Sequence, residues 1–176
     1  IERISKLKMG QPSDETVDIG CLISEKAAIK VKEQIDRTVE QGGKIALGGT
    51  RDGAFIAPTV ITDVPKTADV AKDMEIFGPV VPIIAFDTVD EAIEIANASK
   101  FGLCGCVFTE NMKTAMKVCS ALECGGTVIN GASFFRSFEM PFGGYKYSGL
   151  GTEGVLTTFD EVTRLKTIVL KNIVEL

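Results

Sequence analysis

Between residues 80 and 130, short apolar runs alternate with segments of helical periodicity, and this alternation constrains the fold more than any other feature. Asp87 is a typical N-cap for the first of the helices. Strands joined through a helix by short connections are parallel, with right-handed crossovers. The pattern therefore predicts an α/β fold with an open, mostly parallel twisted sheet and flanking helices. Its elements are strand 80–86, helix 88–98, strand 103–109, helix 111–122 and strand 127–130.

Residues 1–79 carry further helix and strand signals. Ser24 is a typical N-cap and predicts a helix to about Gln41, where two glycines follow. Residues 44–47 and 55–64 are predicted to be extended, and Pro58 interrupts the second segment.

The sequence opens without a helix cap. Ile1, Ile4 and Leu7 lie at helical spacing, yet no capping residue precedes them. We therefore expect the sequence to begin inside a helix and to be truncated at the amino end of a longer protein.

Residues 131–154 are rich in glycine and aromatic side chains and show no regular pattern. Loops of this length in folded domains usually carry function. Residues 149–154 match Gly-x-Gly-x-x-Gly, but no buried strand directly precedes them, so we interpret the glycines as backbone turns. A helix at about 152–160 and an apolar strand at 165–170 complete the predicted elements.

The composition excludes several classes of function. A net charge of −5, from 19 Lys and Arg against 24 Asp and Glu, argues against nucleic acid as a partner. The absence of histidine excludes His-based nucleophilic triads and His-containing zinc sites. Apolar runs are far shorter than the roughly 20 residues of a membrane helix. Five irregularly placed cysteines favour reduced thiols, buried as small hydrophobes, in a cytoplasmic protein.

Two long motifs occur in a fixed order. The first is Glu-Ile-Phe-Gly-Pro-Val at 75–80, and the second is Pro-Phe-Gly-Gly-Tyr-Lys-Tyr-Ser-Gly at 141–149. Both resemble motifs of the aldehyde dehydrogenase superfamily. The residues at 97–108, 126–130 and 165–169 also resemble family segments and stand in the family's order. The resemblance covers essentially the whole chain.

The resemblance implies roles for particular residues. Glu75 matches the glutamate that binds the nicotinamide ribose hydroxyls, and Phe77 matches the aromatic residue near the nicotinamide ring. Phe142 matches an aromatic residue where cofactor and substrate meet. Arg136 carries a charge suited to bidentate contact with a substrate phosphate or carboxylate, which we hold as a hypothesis. Residues 135–144 are most similar to members that act on lactaldehyde, glyceraldehyde 3-phosphate or succinate semialdehyde.

The resemblance also implies a fold of the aldehyde dehydrogenase catalytic-domain type. Residues 1–160 would form part of that domain, with the βαβαβ core at about 80–130. Residues 161–176 would form the strand that joins a neighbouring subunit in a homo-oligomer, a dimer or tetramer. The family's amino-terminal cofactor domain, nucleophilic cysteine and general-base glutamate have no counterpart in this sequence. We therefore expect no catalytic residue and no metal site in this chain.

The parent enzyme implied by the resemblance uses NAD or NADP to oxidise an aldehyde to a carboxylic acid, through a cysteine thiohemiacetal and thioester. This chain alone is expected to be inactive. One alternative is a stand-alone, non-catalytic α/β binding or interaction module derived from that fold. Another is a relative of the acyl-phosphate reductases. An exposed apolar face would favour the fragment over the module.

Overall fold

The computed structural model describes residues 1–172. The chain divides into two units, Ile1–Lys100 and Phe101–Leu176. The boundary between the units lies inside the predicted catalytic segment 1–160, whose limits stay a prediction. Within residues 1–172, no helix has the length and apolar character needed to cross a membrane.

The first unit combines two helices with a three-stranded sheet and a small hairpin. The sheet has the order β1-β4-β5, with β1 and β4 antiparallel and β4 and β5 parallel. Strands β2 and β3 pair as an antiparallel hairpin. In chain order the elements are α1 (Glu25–Glu40), β1 (Lys44–Leu47), β2 (Arg51–Asp52), β3 (Phe55–Ile56), β4 (Thr59–Thr62), β5 (Val80–Pro82) and α2 (Val89–Asn97).

Helix α1 forms as predicted. The Ser24 hydroxyl accepts a hydrogen bond from the Ala27 backbone N–H at 3.1 Å, which satisfies one of the free donors at the helix start. Its buried face packs on the sheet and the following loop, and so forms the core of this unit. That core comprises Ala28, Val31, Ile35, Ile56, Ile61, Val64 and Ala68.

The opening segment differs from the prediction. Instead of a helix through Ile1, Ile4 and Leu7, the structure has a single 3₁₀ turn at Ile4–Lys6 with no buried residue. Apolar spacing alone did not extend the helix, because none of its apolar side chains is buried against the rest of this unit.

Helix α2 is confirmed, but its predicted cap is wrong. Thr88 is the N-cap, and its hydroxyl accepts from the Glu91 backbone N–H at 3.2 Å. The Glu91 carboxylate in turn accepts from the Asp87 backbone N–H at 2.7 Å. This arrangement is a variant of the capping box in which the Glu91 carboxylate bonds chiefly to the N–H of the residue before the cap, so Asp87 contributes its N–H rather than its side chain.

The second unit contains one βαβ crossover and a small antiparallel pair. Strands β7 and β8 are parallel and in register from Cys104 opposite Gly126 to Val107 opposite Ile129. Strands β6 and β9 pair antiparallel. The elements are β6 (Phe101–Gly102), β7 (Cys104–Val107), α3 (Met112–Ala121), β8 (Gly126–Ile129), β9 (Tyr145–Lys146) and α4 (Val155–Val162).

The predicted βαβαβ core is thus confirmed in its second half. The crossover from β7 through α3 to β8 is present as expected. The first crossover, from β5 to β7, spans the boundary between the units and stays a prediction. Strand β5 is shorter than the predicted 80–86 and ends at Pro82, although the Ile83 backbone still donates to the Ile61 carbonyl at 2.8 Å and accepts from the Val64 N–H at 3.2 Å.

The terminal segment also departs from its predicted limits. Helix α4 continues to Val162, so a strand cannot begin at residue 161. Residues 163–172 form no strand in the part of the chain that the structure describes, and residues 173–176 lie outside it. Leu165 and Ile168 are fully or largely exposed, at 107% and 73%. Pairing of this segment with a neighbouring subunit stays a prediction.

Candidate functional site

Residues 73–79, called here the Glu75 segment, lie in the first unit just before β5. Ile76 packs against the hydrophobic core, whereas the side chains of Glu75 and Phe77 on either side of it are exposed. Phe77 is 75% exposed. The segment therefore offers a carboxylate and an aromatic ring to a ligand while Ile76 secures the backbone.

Helix α1 supports this segment directly. The Gln34 amide donates to the Glu75 carbonyl oxygen at 2.9 Å. A β-carbon at Gly78 would lie 3.0 and 3.2 Å from the two γ-carbons of Val31, so glycine lets the backbone approach the helix closely. The segment then enters the sheet, where the Pro79 carbonyl accepts from the Thr59 backbone N–H at 2.9 Å.

Asp73 links the same segment to the end of α2. Its Oδ1 accepts from the Lys100 backbone N–H at 2.9 Å and from the Ser99 hydroxyl at 3.3 Å. The Lys100 ammonium lies 3.6 Å from Oδ2. The backbone N–H of Lys100 is the main reason that the pKa of Asp73 is lowered, so this carboxylate is charged at neutral pH.

In the second unit, Asn130 closes the carboxyl end of the parallel pair. Its side chain accepts from the Thr109 backbone N–H at 2.8 Å and donates to the Thr109 carbonyl at 2.9 Å. Its φ of 54° is in the left-handed region, which asparagine tolerates better than most residues. These hydrogen bonds therefore hold the backbone at the start of the glycine-rich and aromatic loop at 131–154.

Arg136 and Phe142 come together in this loop. The guanidinium carbon of Arg136 lies 3.3 Å from the centroid of the Phe142 ring, a cation–π contact. Phe142 is half-buried, and it exchanges two backbone hydrogen bonds with Glu153, of 2.8 and 2.7 Å. No carboxylate within residues 1–172 forms an ion pair with Arg136. The ring orients the guanidinium, whose N–H donors remain available for an anion.

The end of the loop is held by several contacts. The Lys146 ammonium pairs with the Glu123 carboxylate at 2.6 Å, and the Ser148 hydroxyl accepts from the Gly102 backbone N–H at 2.8 Å. Gly151 has a φ of 75° and Gly149 and Gly154 also have positive φ, as expected if the glycine pattern serves backbone turns.

The cysteines show no sign of catalysis. All five are free and none is buried, because Cys21 and Cys106 are exposed and the other three are partly exposed, so the prediction of buried thiols is wrong. The Cys124 thiol donates to the Gly126 carbonyl at 3.2 Å, and burial raises the pKa of this thiol. A raised pKa disfavours the reactive thiolate. Among residues 1–172, no group of three or more Cys, Asp or Glu side chains is arranged to hold a metal ion.

The structure thus places the four predicted residues in two pairs. Glu75 and Phe77 share one segment of the first unit, and Arg136 stacks on Phe142 in the second. Sequence reasoning missed Asp73 and Asn130. The signal for Asn130 was an amide side chain at the carboxyl end of a parallel strand, where sites in α/β folds lie.

Comparison with known proteins gives a consistent result. A model of the aldehyde dehydrogenase family matches residues 1–168. A lactaldehyde dehydrogenase of Methanococcus maripaludis strain S2 is 42% identical over 173 residues, covering 98% of this chain and 37% of that protein. A 3-sulfolactaldehyde dehydrogenase of Priestia aryabhattai is 44% identical, covering 96% and 35%.

Solved structures agree in fold. Aldehyde dehydrogenase 21 from Physcomitrella patens, in complex with the reaction product succinate, superposes with a TM-score of 0.89 at 38% identity, covering 99% of this chain and 36% of that chain. Glyceraldehyde-3-phosphate dehydrogenase GapN from Methanocaldococcus jannaschii, complexed with NADP, gives 0.88 at 41% identity, covering 95% and 36%. This sequence spans little more than a third of the length of these relatives. It belongs to the aldehyde dehydrogenase family.

Proposed function

We propose that this chain is part of an NAD(P)-dependent aldehyde dehydrogenase that oxidises an aldehyde carrying an anionic group to the carboxylic acid. The observation that carries the substrate class is the Arg136 guanidinium, held over the Phe142 ring with no carboxylate partner among the described residues. An oriented guanidinium binds carboxylate, phosphate or sulfonate through paired N–H donors.

The relatives support an anionic substrate. Their names include a 3-sulfolactaldehyde dehydrogenase and a glyceraldehyde-3-phosphate dehydrogenase, and one related structure contains succinate as the reaction product. Each of these compounds pairs the reacting carbon with an acidic group. Arg136 would hold that group, while the half-buried Phe142 ring would line the path beside it.

The cofactor role rests on the Glu75 segment. NAD or NADP, when bound, accepts the hydride that leaves the aldehyde carbon. Glu75 is exposed and carries two carboxylate oxygens that can accept hydrogen bonds from a ribose diol. Phe77 is exposed beside it and offers a flat apolar surface for a nicotinamide ring. The residues present therefore fit the cofactor that structural relatives bind.

Covalent chemistry would come from outside this sequence. In the proposed enzyme a cysteine thiolate attacks the aldehyde, and an activated water later hydrolyses the thioester. This chain would contribute orientation, by fixing the cofactor ribose at Glu75 and the substrate anion at Arg136. Burial raises the pKa of the Cys124 thiol, which disfavours the thiolate form that a nucleophile needs.

Replacing Arg136 with leucine tests the substrate class. In the full-length enzyme, Arg136→Leu should raise the KM for an anionic aldehyde by about tenfold or more, since a charge-assisted contact contributes about 1.5–3 kcal/mol. The KM for a neutral aldehyde of similar size should change less than about twofold by the same reasoning. Steady-state kinetics with lactaldehyde, glyceraldehyde 3-phosphate and succinate semialdehyde measures both.

Three controls make the result specific. Arg136→Lys keeps the charge but loses the planar stack, so its effect should be intermediate. Arg3→Leu removes an exposed arginine of the first unit and should leave both KM values unchanged. The isolated 176-residue chain should reduce neither cofactor above a heat-denatured sample. Equal changes in KM for charged and neutral aldehydes in Arg136→Leu would remove Arg136 from the substrate site.

A further inference from the structure

Asp73 lies two residues before Glu75 and forms the densest set of polar contacts of any side chain in the Glu75 segment. One oxygen accepts from both the Lys100 backbone N–H and the Ser99 hydroxyl, at 2.9 and 3.3 Å. The other faces the Lys100 ammonium at 3.6 Å. All three contacts join positions 26 or 27 residues apart in sequence.

These contacts fix the backbone on the amino-terminal side of Glu75. A carboxylate that accepts from a backbone N–H forms a charge-assisted hydrogen bond. Because the donor belongs to the backbone, forming this bond costs no side-chain conformational entropy on the donor side. On the carboxyl-terminal side, Ile76 in the core and Gly78 against α1 hold the chain. The Gln34 amide fixes the Glu75 carbonyl between them.

The other contacts do not replace Asp73. The backbone N–H groups of Lys72, Asp73 and Met74 all donate to the Asp69 carbonyl, at 3.1, 3.1 and 3.0 Å, but these local bonds stop one residue before Glu75. The Gln34 amide bonds to the Glu75 carbonyl oxygen, on the carboxyl-terminal side of that residue. Along the chain, Glu75 lies between the Asp73 contacts and the Gln34 contact, so both sets of contacts restrict the backbone that carries its side chain.

We propose that Asp73 is a positioning residue that directs the Glu75 carboxylate toward the nicotinamide ribose hydroxyls. This inference rests on the proposed function, because it acts through the cofactor role of Glu75. Asp73 touches neither substrate nor cofactor. Its effect should appear as a loss of cofactor affinity and not as a loss of aldehyde affinity.

The test uses the full-length enzyme with three variants of the first unit. Asp73→Ala should raise the Kd for NADH or NADPH, measured by fluorescence titration, by about fivefold or more, while the KM for the aldehyde changes less than about twofold. Asp73→Asn retains an oxygen acceptor for the Lys100 N–H, so its Kd should lie nearer the unmodified enzyme. Asp36→Ala removes an exposed helix ion pair with Lys32 and is the matched control with unchanged Kd.

A double-mutant cycle with Glu75→Gln shows whether Asp73 acts through Glu75. Glu75→Gln alone should raise the cofactor Kd, and adding Asp73→Ala should then raise it little further. If the two substitutions raise the cofactor Kd additively, the positioning role is overturned. It is also overturned if Glu75→Gln raises the Kd and Asp73→Ala leaves it unchanged. In both cases the proposed function would stand. An unchanged Kd in Glu75→Gln would overturn the cofactor role of Glu75 and the inference with it.

A merely structural role of Asp73 has a different signature. It would lower the Tm of Asp73→Ala and raise cofactor Kd and aldehyde KM together, and that result would overturn the proposal. If Asp73→Ala yields no folded enzyme, the same cycle is run with Asp73→Asn. Asp73→Asn also loses the ion pair with Lys100, so it should raise the cofactor Kd to a smaller extent than Asp73→Ala. In an enzyme that already carries Glu75→Gln, Asp73→Asn should leave the Kd unchanged.

Discussion

Two adjacent glycines of the second unit show how differently neighbouring residues are constrained. A β-carbon on Gly125 would lie 1.6 Å from the Gly143 carbonyl oxygen, well inside atomic contact. A β-carbon on Gly126 would meet the Cys104 sulfur at 3.7 Å, an ordinary van der Waals distance. Only glycine fits at position 125, because the backbone of Gly143 lies against it. Gly143 belongs to the loop that carries Phe142.

We expect Gly125→Ala to destabilise the protein by about 2 kcal/mol or more, because two backbone segments must move apart. It should also lower activity, since the displaced backbone adjoins Phe142. Gly126→Ala should change the free energy of unfolding by less than about 1 kcal/mol by the same packing argument. Urea unfolding followed by circular dichroism measures both. Similar destabilisation in the two variants would show that the close approach is not the cause.

Asp73 and Asn130 show why part of the site escaped sequence reasoning. Asp73 finds its partners 26 and 27 residues away, and Asn130 pairs with a backbone 21 residues away. Local spacing carries no information on such contacts, because they exist only after the strands and helices have packed. Glu75, Phe77, Arg136 and Phe142 were proposed from motif resemblance or side-chain chemistry.

At the scale of elements, segments with clear capping signals were predicted well, whereas the opening helix and the terminal strand, predicted from apolar residues alone, are absent from the described residues. Strand β1 and helix α1 were predicted to within a residue, since Ser24 and the two glycines after Gln41 mark the helix ends. The cap of α2 was misplaced by one residue because Asp87 and Thr88 are both good caps. The choice between them depends on Glu91, three residues after Thr88, which completes the capping box.

The capping box predicts a pH dependence of stability. The pKa of Glu91 is lowered, chiefly by the Asp87 backbone N–H and then by the Lys66 ammonium. The folded-state pKa is thus below the unfolded value of about 4.3. The stabilisation from this carboxylate is present above that pH and is lost as the pH falls through the folded-state pKa.

Glu91→Gln should therefore be less stable than the unmodified protein at pH 7, and the difference should shrink as the pH falls below about 4. Thermal unfolding from pH 3 to 7 measures it. Glu94→Gln, an exposed position on the same helix, is the control and should show no comparable trend. A difference that stays constant over this range would contradict the capping-box argument.

At the scale of the whole molecule, burial is uneven. Of the ten buried hydrophobic residues among those described, nine lie between residues 28 and 71, and Ala115 alone belongs to the second unit. The second unit instead exposes large apolar side chains. Those exposed by more than 70% are Phe108, Phe134, Phe138, Tyr147, Leu150, Leu156, Val162, Leu165, Ile168, Val169 and Leu170. Such surfaces mark sites of association.

Removal of residues 163–176 should weaken subunit association. The segment exposes Leu165, Ile168, Val169 and Leu170, and an extended apolar segment adds readily to the edge of another subunit's sheet. In the full-length enzyme we expect a lower molar mass by light scattering after this deletion. Lys166→Gln, which keeps the segment's apolar residues, should leave the mass unchanged. An unchanged mass in the deletion variant would assign association to another surface.

The uneven burial bears on how a cell would handle newly made copies. The first unit, with its own buried core, would reach a stable state early, whereas the second would keep apolar side chains exposed until other polypeptide covers them. Chaperones and proteases act on such exposed segments. Copies that fail to assemble would be retained by chaperones or degraded by proteases that act on the second unit. The amount of this protein in a cell would therefore depend on successful assembly.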